Sequence, residues 1–167
     1  LNLTDFNLND QEKRNSISGD FAALARDLSE NEIWEEKHLF NNTDIKRMKD
    51  VEFCGTLILL YRQGIIDQTD QKPLNQAYED LQTGYTDAEN DKQHICDAII
   101  ELRKFIEDDE ILKFVKRKAQ LYTVFSVIFY LQREDENVTD VHVEKLKNFV
   151  KLYSVFDNDM DMDGKLS

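Results

Sequence analysis

The stretch from Thr86 to Ile106, TDAENDKQHICDAIIELRKFI, decides the fold. Its apolar residues Ile95, Ala98, Ile99, Leu102, Phe105 and Ile106 recur every three or four positions, with charged residues between them. That period places one apolar stripe along an α-helix, and Thr86 is positioned to cap it. The pattern continues on both sides. Upstream, Phe21, Leu24, Ala25 and Leu28 repeat at the same spacing, and Ser29 with Glu32 forms a capping-box pair ahead of Ile33 and Trp34. Thr43 or Asp44 caps a long helix carrying Ile45, Met48, Val51, Phe53, Leu57, Leu60 and Tyr61, which Gly64 stops. Pro73 opens the first turn of a helix through Tyr78 and Leu81. Downstream, Leu121–Leu131 is apolar on most faces and is expected at the centre of the fold. A last helix from Thr139 or Asp140 carries Val143, Leu146, Phe149, Val150 and Val155.

One Pro and five Gly in 167 residues leave few turns for hairpins. The expected fold class is therefore all-α, an irregular multi-helix bundle. Residues 1–18 read as a junction, 19–156 as the bundle and 157–167 as an acidic tail. A chain of this length with 41% hydrophobic residues has enough apolar surface for a core. It lacks a signal-peptide pattern and any apolar run of membrane-spanning length, which predicts a cytoplasmic protein without a membrane partner.

The 34 acidic residues outnumber the 21 basic ones, for a net charge of −13. Such a surface repels a phosphate backbone, so generic nucleic-acid binding is disfavoured. Lys113, Lys116, Arg117 and Lys118 form the densest basic patch and read as a solvated helix face. Cys54 and Cys96 sit in apolar helical patterns, as small hydrophobes rather than as a bridge or metal ligands.

Nucleophilic catalysis needs a base and an orienting group around the nucleophile. His38, His94 and His142 stand in no such setting, and the sequence has neither a Gly-rich phosphate loop nor a paired-Cys metal framework. No catalytic, cofactor-binding or metal-binding residue is assigned, and the chain is expected to be non-catalytic without a cofactor. Asp159, Asp161, Asp163 and Gly164 reproduce the first half of a calcium loop, but the chain stops before the bidentate Glu, so an acidic tail is the preferred reading. Arg47 and Asp50, three apart, are expected to share a helix face as a surface ion pair.

The segments Leu8-Asn9-Asp10-Gln11-Glu12-Lys13-Arg14-Asn15, Gly19-Asp20-Phe21 and Arg47-Met48-Lys49-Asp50-Val51-Glu52-Phe53 resemble the helical region of a large prokaryotic family of unknown function. That family includes the GmrSD-type modification-dependent restriction proteins. The resemblance rests on a Leu-Asn-x-Gln-Glu-x-Arg-Asn element followed by an Arg-Met-x-Asp-x-Glu helix, and extends loosely to about Arg133. It implies an N-terminal domain of ParB/sulfiredoxin-like fold with an Asp-Gly-Gln-Gln-Arg motif linked to nucleotide hydrolysis. Neither that motif nor any His-Asn-His nuclease residues of the kind found further C-terminal in such proteins occur in this sequence. On this reading, Leu1 begins where the catalytic domain ends, and Asn9, Glu12 and Arg14 help dock the helices on it. The implied function is an accessory domain of a phage-defence restriction protein, meeting DNA only through the whole protein. The alternative is a stand-alone helical interaction module, calcium-responsive through its tail.

Overall fold

The computed structural model describes residues 8–163, with side chains described through Phe156. It is all-helical, with no strand among the described residues. By its internal contacts the chain groups into two compact units, one ending at Asp97 and one beginning at Ala98.

In the first unit α1 (Asp10–Arg14), α2 (Asp20–Ser29) and α3 (Glu32–Glu36) lead into α4 (Asn42–Lys46), α5 (Lys49–Gln63) and α6 (Lys72–Asp80). The central packing is α2 on α5. Phe21, Ala25 and Leu28 present one buried stripe, and Cys54, Leu57 and Ile58 present another. Gly55 allows α6 close to this pair, since a methyl group there would sit 3.0 Å from Leu74 Cδ1. Trp34, Phe40 and Phe53 close the other end of α5 edge to face, with centroids 5.6 to 6.2 Å apart. The Trp34 indole donates to the Leu28 carbonyl at 2.8 Å.

The start of α2 is held by the end of α6. Asp20 N–H donates to the Gln82 carbonyl at 3.0 Å and Phe21 N–H to the Leu81 carbonyl at 3.1 Å. Two donors that the first turn of a helix cannot satisfy internally are thereby met by another backbone. The approach depends on Gly19, whose φ of 141° lies outside the range side chains favour and whose added Cβ would fall 2.5 Å from the Gln82 oxygen.

The second unit contains the last part of α7 (Ala88–Ile106), with α8 (Asp109–Val115), α9 (Lys118–Arg133) and α10 (Asp140–Asp163). Leu102, Phe105 and Ile106 are buried, as are Ile111 and Val115 of α8 and Leu121, Phe125, Ile128 and Phe129 of α9. Val138 is pinned to α7, its N–H donating to Glu101 Oε2 at 2.6 Å.

Several local expectations change. The long helix expected from Thr43 is two helices, because Met48 takes a left-handed φ of 55° between α4 and α5. Asn41 caps α4, in a capping box with Asp44, and Ile45 is half exposed. Asn31 rather than Ser29 caps α3, while the Ser29 hydroxyl donates back to the Arg26 carbonyl. Helix α7 starts at Ala88, two residues past Thr86. Helix α9 is less enclosed than expected, with Val127 and Tyr130 exposed, and Phe149 and Val155 of the last stripe are exposed rather than buried. The backbone of α10 is helical to Asp163, past the expected start of the tail, and Gly164 and the side chains of Asp159, Asp161 and Asp163 lie outside the described residues.

Gly19→Ala is expected to cost about 2 kcal/mol or more, through the positive φ and the clash with Gln82. The urea unfolding midpoint measures this, and an unchanged midpoint would show that the α2–α6 junction does not need glycine.

Candidate functional site

The two segments that carry the family resemblance meet in the first unit. Asn9 caps α1 through a capping box with Glu12, its Oδ1 accepting from the Glu12 N–H at 2.7 Å. Its side-chain amide also donates to the Arg47 carbonyl at 2.8 Å, and the Arg47 guanidinium lies 3.4 Å from Glu12. Arg14, only 3% exposed, then reaches inward. Nε donates to Gln11 Oε1 at 2.9 Å, Nη1 to Asn75 Oδ1 at 2.7 Å, and Nη2 to Glu52 Oε2 at 2.9 Å and Gln71 Oε1 at 3.1 Å. Gln11 passes the network on to the Tyr78 hydroxyl at 3.0 Å. Burial lowers the Arg14 pKa, while the Glu52 carboxylate opposes that shift.

This cluster joins α1, α5 and α6 within one unit. Arg14 is thus committed to its own helices. The Arg47–Asp50 expectation changes, because Arg47 ends α4 and Asp50 lies in the first turn of α5. Asp50 Oδ1 is buried without a hydrogen-bond partner among the described residues, and burial pushes this carboxyl above its ordinary range.

A second polar cluster escaped the sequence reading. Buried Asp91 accepts from the Tyr85 hydroxyl and from Arg62 Nη1, both at 2.7 Å, and the Arg62 guanidinium sits 5.0 Å from the Tyr85 ring centre. Burial, then the Asp91 carboxylate, raises the Tyr85 pKa. Only the acid–base pairing types were legible, since Arg62 and Asp91 belong to different helices.

The histidines have local roles. His94 Nδ1 contacts the Asn90 carbonyl at 2.8 Å and its ring stacks on Tyr61. His142 Nδ1 accepts from the Thr139 N–H at 3.1 Å at the start of α10, and His38 takes a left-handed φ of 50°. Cys54 is fully buried, which raises its thiol pKa well above the ordinary value, and Cys96 is half-buried. Among the described residues no three His, Cys, Asp or Glu side chains are placed to hold a metal, and no helix is long and apolar enough to cross a membrane.

The basic run divides in two. Lys113 and Arg117 line a cleft of about 440 Å³ in the second unit, together with Glu110, Phe114, Lys151 and Tyr153. Lys116 and Lys118 are not among its lining residues. Glu110, Lys113, Phe114 and Arg117 follow helical spacing along α8 and just beyond it, and Lys151 and Tyr153 come from α10. The walls are held by Phe114 and Tyr153, edge to face at 5.5 Å, and by Lys147, which meets Asp108 at 2.8 Å. Val150 is the buried apolar residue of the lining.

No protein-family model matches the sequence, and neither a curated protein nor a solved structure matches it.

Arg14→Met is expected to cost about 3 kcal/mol, because it takes the guanidinium donor from Gln11 Oε1 and Asn75 Oδ1 and leaves Glu52 paired with Lys49 alone. Arg47→Gln, at the more exposed pair, should cost less than about 1 kcal/mol. Equal losses in chemical denaturation would show that the buried network has no special weight. The Lys147 hydrogen bond, followed in weight by backbone donors, lowers the Asp108 pKa. That stabilisation is present above the unfolded-state value and lost as pH falls through the folded one. Asp108→Asn should therefore reduce stability at neutral pH and flatten its fall below about pH 4; parallel wild-type and variant curves would contradict this.

Proposed function

We propose that the chain is a helical accessory module of a GmrSD-like defence or restriction protein. In this reading it packs on a ParB-like, nucleotide-hydrolysing domain of the same polypeptide and couples that domain's state to recognition or cleavage of DNA by the whole protein. The module itself performs no catalysis. The supporting observation is that the two resembling elements serve one physical purpose: Asn9, Glu12 and Arg14 of the first interlock with Arg47 and Glu52 of the second. Helix α1 is thereby fixed to the bundle and offers a domain joined ahead of it a rigid point of attachment. Coupling through α1 needs that rigidity.

A stand-alone interaction module is the second reading. It is favoured by the apolar residues that α10 leaves exposed, Phe149, Leu152, Val155 and Phe156, which share one side of the helix at i, i+3, i+6 and i+7.

The coding frame upstream of Leu1 separates the two. An Asp-Gly-Gln-Gln-Arg motif there is expected on the first reading. In the whole protein, Asn9→Ala with Glu12→Ala should lower nucleotide turnover several-fold while the bundle stays folded by circular dichroism, because the cap and the Arg47 contact are lost but Arg14 remains buried. An upstream frame without the motif, or turnover untouched by the double substitution, would overturn the accessory-module reading.

A further inference from the structure

The cleft between α8 and α10 belongs to the second unit and has a chemistry of its own. In a chain whose net charge is −13, its described lining residues bring Lys113, Arg117 and Lys151 together against a single acid, Glu110. Among the described residues that leaves a formal excess of two positive charges. Neither the Lys113 nor the Lys151 ammonium has an ion-pair partner among the described residues. Like charges held near one another repel, and a bound anion relieves the repulsion. A phosphate monoester carries about −1.5 to −2 at neutral pH, which matches this excess better than a single carboxylate does. Lysine supplies point charges and arginine a planar fork of donors, both suited to phosphate oxygens.

The rest of the lining has a different character. Phe114, Tyr153 and Val150 present ring and aliphatic surface beside the cations. Phe114 and Tyr153 are braced against each other and both against Phe149, at 6.1 Å in each case, so their ring planes are set before a ligand arrives. The volume, about 440 Å³, falls in the range of small-molecule sites, which runs from about 300 to 1,000 Å³. A cleft of that size takes a compact ligand rather than a length of peptide.

We propose that this cleft binds a small aromatic phosphate monoester, its phosphate on Lys113, Arg117 and Lys151 and its ring against Phe114 and Tyr153. Binding involves no covalent step and is independent of the accessory-module reading.

Phenyl phosphate is a suitable probe, titrated calorimetrically into the whole chain beside phenol and inorganic phosphate. Saturable one-to-one binding is expected at sub-millimolar concentration, weaker for inorganic phosphate and weakest for phenol. Lys113→Gln with Lys151→Gln changes side chains open to solvent, so the melting temperature should hold while affinity falls about tenfold or more. Added salt should weaken binding, as it screens an exposed charge pair. No saturation by phenyl phosphate below about a millimolar, which corresponds to only about −4 kcal/mol, would overturn the proposal. So would unchanged affinity in the folded double variant, inorganic phosphate binding as tightly as phenyl phosphate, or a glutamate-rich peptide binding more tightly than either.

Discussion

Burying a guanidinium is the constraint on which the first unit depends. A cation removed from water loses several kcal/mol of solvation, and this is recovered only if its donors meet acceptors in good geometry. Arg14 meets that condition with four oxygens from three segments: Gln11 in its own helix, Glu52 in α5, and Gln71 and Asn75 at and inside the start of α6. The requirement acts in both directions. A five-residue helix such as α1 is far too short to persist alone, and the network anchors it. In turn, the polar ends of Glu52, Asn75 and Gln11 are tolerable near the core because Arg14 donates to them. The apolar packing of α2 on α5 could vary by a methylene at modest cost, whereas loss of Arg14 removes the donor from four oxygens at once.

The helices were legible because amphipathic periodicity is a local property. The stripe from Ile95 to Ile106 is buried at Ile95, Ala98, Ile99, Leu102, Phe105 and Ile106, with Ile100 left exposed between them, as a period of 3.6 requires. Caps set by one residue's chemistry were equally readable, including Gly64 after α5 and Pro73 in the first turn of α6. What escaped were choices between neighbours of similar propensity. Ser29 and Asn31 both suit an N-cap, and the backbone places Asn31 there because Ser29 is still inside α2. Met48 carries no signal for a left-handed backbone, which long unbranched residues rarely adopt. Only the tertiary position of α5 reveals the break. Burial of the last helix was hidden for a related reason, since an apolar stripe shows which face is apolar without showing whether anything covers it.

The candidate cleft illustrates a further limit of reading along the chain. Lys113 and Arg117 stand out as part of a basic run, and the natural reading of such a run is a solvated face. That reading weighs the residues against their sequence neighbours. Lys151 and Tyr153, more than thirty positions on, convert part of the run into one wall of a concave site. Net charge is a poor guide to such a place, because the average over the molecule is acidic while the local field is set by what lies within about a Debye length, roughly 8–10 Å at moderate salt. Among the described lining residues, two lysines and an arginine outweigh one glutamate.

The same distinction bears on what a sequence resemblance can convey. Residues such as Asn9, Gln11, Glu12, Arg14, Arg47 and Glu52 carry polar side chains of the kinds that binding and catalytic sites also use. In the folded unit their donors and acceptors are spent largely on one another. A set of polar groups that satisfies itself internally retains little hydrogen-bonding capacity for a ligand, and opening it would expose a stranded charge. Such a motif therefore specifies a junction between helices, and through it the direction in which the chain enters the bundle. Asp50 marks where the self-satisfaction ends. One of its oxygens is buried without a partner and its carboxyl is pushed upward by burial, while its place in the first turn of α5 lends the favourable end of a helix dipole to the charged form. The element thus combines a closed network at Arg14 with a buried acceptor, Asp50 Oδ1, that has no partner among the described residues.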